Sequence, residues 1–279
     1  MKGKTVVITG ATSGIGEIAA IHLAKQGARI VFTARDRKRA DATLAKLNKA
    51  NAAASHAVHL ADLSLIAEQK RVAADIAREP RIDVLINNAG ALFNRRIETS
   101  EGLEMTFALN HMSFFTITNI LLPRLKETPG ARIVSTSSRA HRRGKLDFSD
   151  LQSRKDFQGF RTYSNSKLCN ILFTRALAKR LAGTGIIANC LHPGFVATRF
   201  GDQSGGFLQY VVAIAKSLIA ISEEDGAKTI LHLATSPDVT SVSGEYFSEC
   251  KVEVPTVEAR NDADAERLWQ ESVKIAGVG

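Results

Sequence analysis

Of the three tyrosines in the chain, Tyr163, Tyr210 and Tyr246, only Tyr163 has a lysine four residues further on, Lys167. On a helix, positions i and i+4 share a face, which sets the ammonium beside the phenol. A neighbouring cation favours the phenolate and lowers the hydroxyl from its usual value of about 10. A phenol tuned this way can give a proton to a carbonyl or take one from an alcohol. The two-residue motif recurs by chance, and it also describes an amphipathic pair on a helix surface. Three further features add weight. Ser137 and Ser138 close a β-branched run, where a hydroxyl can hydrogen-bond a substrate oxygen as charge develops. Asn87-Asn88-Ala89-Gly90 ends another such run and can bring backbone close to a ligand. Asn110 falls inside a helical stretch, an unfavourable place unless its side chain is used; the alternative is an exposed helical asparagine.

A second constellation points to a phosphate. Thr5–Thr9 reads TVVIT and runs into Gly10-Ala11-Thr12-Ser13-Gly14-Ile15-Gly16. Glycines permit a tight turn and close approach to a pyrophosphate, and the helix that follows offers free N–H groups and a positive dipole end. The triplet alone is weak, but between a first strand and a first helix it becomes strong. The cofactor-binding set therefore starts with Gly10, Thr12, Ser13, Gly14, Ile15 and Gly16. At the end of the second strand, a carboxylate suits the ribose of NAD and an arginine the 2′-phosphate of NADP. Ala34 marks that end. Arg35 follows directly and favours NADP(H), while Asp36 keeps NAD(H) in play. Arg37–Arg39 reads as a solvated helix start.

The elements that must position these groups alternate regularly. Strand patterns at 5–9, 28–33, 56–61, 82–86, 131–135, 186–191 and 244–247 are separated by helical patterns at 14–26, 37–48, 65–78, 101–126 and 160–182, with two more before the last strand. Such alternation predicts an α/β fold: a single doubly wound Rossmann-type domain over 1–279, its sheet mostly or wholly parallel, with helices on both faces. No repeat or linker divides the chain. Segments near 139–160 and 195–222 interrupt the pattern and read as functional loops.

Composition excludes other classes. The chain has 279 residues, 44% hydrophobic and 23% charged, which excludes a disordered or collagen-like protein. Cys169, Cys190 and Cys250 are too few and too scattered for a disulfide framework or a zinc ribbon. His56 and His59 lie on a strand without metal spacing, and hydride chemistry needs no metal. The longest apolar stretch, Phe207–Ile221, contains Gln209 and Lys216 and falls short of the roughly 20 residues that span a bilayer. A cytoplasmic protein with no membrane anchor is expected. The net charge of +9 admits nucleic acid, membrane surfaces or anionic small molecules. Nucleic acid is disfavoured, because the cluster Arg139–Lys145 carries no interleaved aromatics. That cluster reads first as a solvated loop, and alternatively as a site for an anionic substrate or acidic partner.

Taken in order, TGATSGIG (9–16), Asp62, NNAG (87–90), Asn110, the serine pair, YSNSK (163–167) and HPGFVAT (192–198) resemble the short-chain dehydrogenase/reductase family over essentially the whole chain. The resemblance implies catalytic roles for Asn110, Ser138, Tyr163 and Lys167. Tyr163 would be the proton donor or acceptor, and Lys167 would hold the ribose hydroxyls and lower the tyrosine. Ser138 would orient the carbonyl, with Ser137 as the fallback, and Asn110 would hold a water in a proton relay. It further implies that Asp62 and Leu63 contact the adenine and that Asn88, Ala89 and Gly90 line the cofactor. Pro193, Gly194, Val196 and Thr198 would position the nicotinamide.

RIVSTSSRAH (132–141), the loop through 147–151, KLCNILFTRALAKRL (167–181), GEYFSECK (244–251) and AERLW (265–269) are similar to the retinol dehydrogenase and WW-domain oxidoreductase subgroup. Ser135 stands where that subgroup usually has asparagine, and neither an N-terminal apolar anchor nor a WW module is expected. The implied function is NADP(H)-dependent interconversion of a lipophilic aldehyde or ketone and its alcohol. Phe207, Leu208, Tyr210, Val211, Val212 and Ile214 would form an apolar substrate lid, or equally a core or oligomer-interface helix. Two alternatives are a light-dependent protochlorophyllide reductase-like enzyme, which needs pigment-binding segments not seen here, and a non-enzymatic dinucleotide-binding sensor. The complete catalytic set argues against the sensor. A homo-oligomer is possible, but no interface signal stands out.

Overall fold

The computed structural model describes residues 1–194 and 222–278. Strands β1 (Thr5–Ile8), β2 (Arg29–Ala34), β3 (Ala57–Leu60), β4 (Val84–Asn87), β5 (Arg132–Thr136), β6 (Ile187–His192), β7 (Tyr246–Ser248) and β8 (Lys251–Val252) form one sheet, in the order β3-β2-β1-β4-β5-β6-β7-β8. β1 to β7 run parallel, and β8 turns back antiparallel on β7. The helices are α1 (Gly14–Lys25), α2 (Arg37–Ala50), α3 (Ile66–Ile76), the single turn α4 (Met105–Phe107), α5 (Ser113–Lys126), α6 (Gly159–Arg180), α7 (Glu223–Thr235) and α8 (Asp262–Ala276).

The central strands β1, β2 and β4 are rich in buried apolar residues because helices cover both faces of the sheet there, whereas β3 is half-buried and β8 exposed at the edges. Side chains alternate in direction along a strand. Val7, Val31, Leu85 and Ile133 pack on one side with α3, α5, α6 and α8. Val6, Ile8, Ile30, Phe32, Val84, Ile86 and Val134 pack on the other with α1, α2 and α7. The strand order reverses at β1: β2 and β3 lie on one side, β4 onward on the other. At that switch point the chain leaves β1 and β4 in opposite directions, and a crevice opens at their carboxyl ends.

Two features differ from the sequence pattern. The stretch 101–126 is not one helix. Glu104 is buried, and its carboxylate accepts the N–H groups of Thr106 (2.9 Å) and Phe107 (2.7 Å), so helical structure starts only at Met105. It then passes through a π-helical turn, Ala108–Met112, before α5. β8 is also additional. Glu249 and Cys250 adopt φ of +51° and +63° and reverse the chain without a glycine or asparagine, so no ordinary turn signal marks the hairpin.

Candidate active site

A cleft of about 1910 Å³ lies along the carboxyl edge of the sheet. It exceeds the few hundred to about 1,000 Å³ of a usual small-molecule site. The loops after β1 to β6 all border it.

The glycine loop is built against the end of β4. Thr9 Oγ1 accepts the N–H groups of Asn88 (2.9 Å) and Ala89 (3.1 Å). Asn88 Nδ2 donates to the carbonyls of Thr9 (3.3 Å) and Gly10 (3.1 Å). Gly10 has φ +69°, and a Cβ there would stand 2.8 Å from the Ala89 Cα. Only glycine lets the two loops touch. Ser13 precedes α1 in extended conformation and its side chain makes no capping bond. The first-turn amides of α1 therefore have no side-chain acceptor, which is the state of a helix N-terminus that receives phosphate. Thr12, Ser13, Gly14 and Ile15 line the cleft, and Gly16 packs buried behind them.

Past β2, the side chains divide. Asp36 caps α2, with Oδ1 accepting the Arg39 N–H at 2.8 Å, and it does not border the cleft. Arg35 and Arg39 do. Arg39, read from sequence as part of a solvated helix start, thus joins Arg35 at this end. Arg37 instead pairs with Asp41. Asp62 borders the cleft with its Oδ1 held by Ser64, by N–H at 3.0 Å and Oγ at 2.7 Å, and Leu63 lies buried beside it.

At the other end, β5 and α6 bring together the residues of the tyrosine–lysine motif. Tyr163 and Lys167 are both buried and both face the cleft. The Lys167 ammonium lies 5.5 Å from the centre of the Tyr163 ring and 5.9 Å from that of Phe114. Its Nζ donates to the Thr136 carbonyl at 3.2 Å. Burial pulls Lys167 down to about 7. Burial also pushes the Tyr163 hydroxyl up, opposed by a hydrogen bond with Ser138. The sequence argument expected a phenol lowered by its cation. Desolvation instead disfavours both charges, so each group favours its neutral form.

The two serines part company. Ser137 is buried, and its Oγ donates to the Lys167 carbonyl at 2.7 Å. Ser138 borders the cleft, bonds Tyr163, and accepts the Ala140 N–H at 3.2 Å to start a 3₁₀ turn, Arg139–Arg143. Asn110 lies in the π-helical turn, a device frequent at functional sites. Its Oδ1 accepts the Ala91 N–H (2.9 Å), and its Nδ2 donates to the Ala91 carbonyl (2.9 Å) and to Ser166 Oγ (3.0 Å). Gly90 sits between these groups: a Cβ would lie 3.1 Å from Asn110 Oδ1 and 3.4 Å from Lys167 Nζ. Pro193 and Gly194 border the cleft, and the Gly194 N–H donates to His192 Nδ1 at 3.0 Å. Val196, Thr198 and the apolar stretch from Phe207 lie outside the described residues.

Sequence reasoning passed over several partners. Thr9 and Thr136 lie inside motifs read from the sequence, but no role was assigned to them there. Ser166 Oγ donates to the Tyr163 carbonyl at 2.7 Å. Asn170 donates at 3.2 Å to the same Thr136 carbonyl as Lys167. Its position was readable: it stands seven residues after Tyr163 and three after Lys167, on the same helical face, as a buried mid-helix asparagine.

A phosphate-receiving glycine loop, a switch-point crevice, and a buried tyrosine–lysine pair with a serine at its hydroxyl define a dinucleotide-dependent oxidoreductase of the doubly wound class. The chain belongs to the short-chain dehydrogenase family, whose model matches residues 4–206. Within it, the chain groups with the retinol dehydrogenases. It is 38% identical over 296 residues to retinol dehydrogenase 14 of Mus musculus, covering all of this chain and 87% of that one. It is likewise 38% identical over 279 residues to retinol dehydrogenase 12 of Homo sapiens, covering 100% and 88%. Among solved structures, an uncharacterized protein from Mycobacterium Paratuberculosis superposes with a TM-score of 0.80 at 29% identity, covering 99% of this chain and 94% of that one. RhlG of Pseudomonas aeruginosa, solved as an active-site complex with NADP, superposes at 0.69 with 28% identity, covering 88% and 94%. The chain is therefore a retinol dehydrogenase-like oxidoreductase acting on an alcohol or carbonyl. No helix among the described residues is long and apolar enough to cross a membrane.

Proposed function

We propose that the protein is an NADP(H)-dependent enzyme that interconverts a lipophilic aldehyde or ketone and its alcohol. The observation that carries the cofactor choice is the division after β2: Asp36 is spent as a helix cap, whereas Arg35 and Arg39 border the cleft. Two guanidinium groups suit a 2′-phosphate, and a committed carboxylate does not serve a ribose. The NADP complex of RhlG supports the same reading. Leu92, Phe93, Met105, Leu109 and Phe160 border the cleft near Tyr163 and supply an apolar wall for the substrate.

The fit of a dinucleotide rests on the Gly10 approach and the uncapped first turn of α1. Gly10, Thr12, Ser13, Gly14, Ile15 and Gly16 would hold its pyrophosphate, Arg35 and Arg39 its 2′-phosphate, and Asp62 and Leu63 its adenine. Asn88, Ala89, Gly90, Pro193 and Gly194 would flank the rest. When bound, it supplies or accepts the hydride. This chain's residues handle the proton and the oxygen. Tyr163, held neutral by burial, gives its hydroxyl proton to the carbonyl oxygen; in the reverse direction its phenolate takes the proton from the alcohol. Ser138 donates to the same oxygen and orients it. Lys167, near its midpoint at neutral pH, offers the charge that steadies the tyrosine as it gives up its proton. Asn110 holds the Ala91 backbone, and through it the Gly90 approach, in register.

The test compares Michaelis constants for NADPH and NADH while turning over a panel of aldehydes that includes retinal. NADPH preference that narrows in Arg35→Ala and Arg39→Ala is expected. Preference for NADH overturns the cofactor assignment. Bound cofactor with no turnover across a broad panel overturns the enzymatic one.

A further inference from the structure

The wall of the cleft that follows Ser138 is cationic. Arg139, Arg142 and Arg143, all on the 3₁₀ turn that Ser138 caps, border it. Among the described residues the carboxylate of Glu253 pairs with them, 2.6 Å from Arg142 and 4.0 Å from Arg139. It satisfies Arg142 and leaves Arg139 loosely held. Arg143 has no ion pair among the described residues; its guanidinium lies 5.8 Å from the Phe160 ring centre. Phe160 in turn stands 6.5 Å from the Tyr163 ring, so a single aromatic separates Arg143 from the proton donor. Asp225, engaged by Lys228 and Ser222, and Glu223 and Glu249 also border the cleft. The positive field reaches His192, which burial first and Arg139 second hold down to about 4.

A cationic wall in the same cleft as the apolar one made by Leu92, Phe93, Met105 and Leu109 suits a molecule with both characters. We propose that the substrate of this site is an amphipathic carbonyl or alcohol bearing a carboxylate, which Arg139 and Arg143 receive while its oxygen lies at Ser138 and Tyr163. The inference rests on the oxidoreductase reading above and narrows its substrate class. Guanidinium groups match carboxylates by paired N–H donors. The Arg139 side chain is 60% exposed, so water and salt moderate the gain.

The test uses three carbonyls of equal chain length: an ω-oxo fatty carboxylate, its methyl ester and the n-alkanal. Each is assayed with NADPH at low and at high salt. The expected result is a kcat/KM for the acid about fivefold to tenfold above that for the ester at low salt, shrinking toward parity as salt rises. The acid-to-ester ratio should fall in Arg139→Gln and in Arg143→Gln, and further in the double variant. An acid-to-ester ratio of one in the wild type overturns the inference and leaves the oxidoreductase reading standing. Variants that raise the Michaelis constant for NADPH while sparing the ratio assign the arginines to cofactor and also overturn it. No turnover of any of the three, with NADPH bound, refutes the enzymatic reading and this inference together.

Discussion

Gly10→Ala isolates what the glycine loop does, because Gly3 supplies an internal control. Both glycines have positive φ, +69° and +73°, so an alanine at either position bears the left-handed backbone cost of about 1–2 kcal/mol. Their surroundings differ. A Cβ on Gly3 meets nothing within 4 Å, whereas a Cβ on Gly10 stands 2.8 Å from the Ala89 Cα and 2.9 Å from its nitrogen. Carbon atoms prefer about 3.5–4.0 Å, and both obstacles are backbone held by Thr9 and Asn88, so they cannot swing aside. Overpacking of that kind adds about 1–3 kcal/mol. Gly3→Ala should therefore lower stability by about 1 kcal/mol and Gly10→Ala by about 3 kcal/mol, or roughly 2–4 °C against 6–12 °C in thermal midpoint. Calorimetry reads the stabilities, and fluorescence titration with NADPH reads the affinity. Gly10→Ala should weaken NADPH binding at least tenfold, with Gly3→Ala binding normally. Equal destabilisation of the two variants, or unchanged NADPH affinity in Gly10→Ala, would refute the claim that close approach to β4 is why position 10 is glycine.

Other outcomes follow from the buried pair and the serines. Tyr163→Phe should abolish turnover and spare NADPH binding; appreciable residual turnover would mean another acid protonates the substrate. Lys167 sits at about 7 against an ordinary 10.5, so between those values the unfolded chain carries a proton the folded chain lacks. Stability from this group then rises with pH across that window. Lys167→Met should lose turnover yet melt above the wild type below pH ~7, by an amount on the order of 3 kcal/mol that fades toward pH ~10. A pH-independent difference in melting would contradict the burial argument. Ser138→Ala should lose activity because its hydroxyl faces the cleft and meets Tyr163, and lose about 1 kcal/mol of stability with its cap on the Arg139–Arg143 turn. Ser137→Ala should lose about 1 kcal/mol of stability, because its hydroxyl holds the Lys167 carbonyl. Activity data with the two serines reversed would move the assignment.

The sequence by itself determined the alternation of strands and helices and the chain order of the glycine loop, the serine pair and the tyrosine–lysine pair. Those are local quantities: β-branched runs, helical spacing and fixed offsets within one element. Asn170 was readable on the same terms, since it shares a helical face with Tyr163. The hairpin into β8 was not, because Glu249 and Cys250 take left-handed backbone without a residue type that announces it. The helix start at Met105 was equally hidden, since it depends on a buried Glu104 whose capping role no periodicity shows. Only the tertiary structure decided which serine faces the cleft, that Asp36 is a cap while Arg39 is a wall, and that Tyr163 and Lys167 are pressed toward neutrality. Each of those outcomes turns on burial and on partners far apart in the chain, and desolvation is a property of a packed site that no spacing of residues encodes.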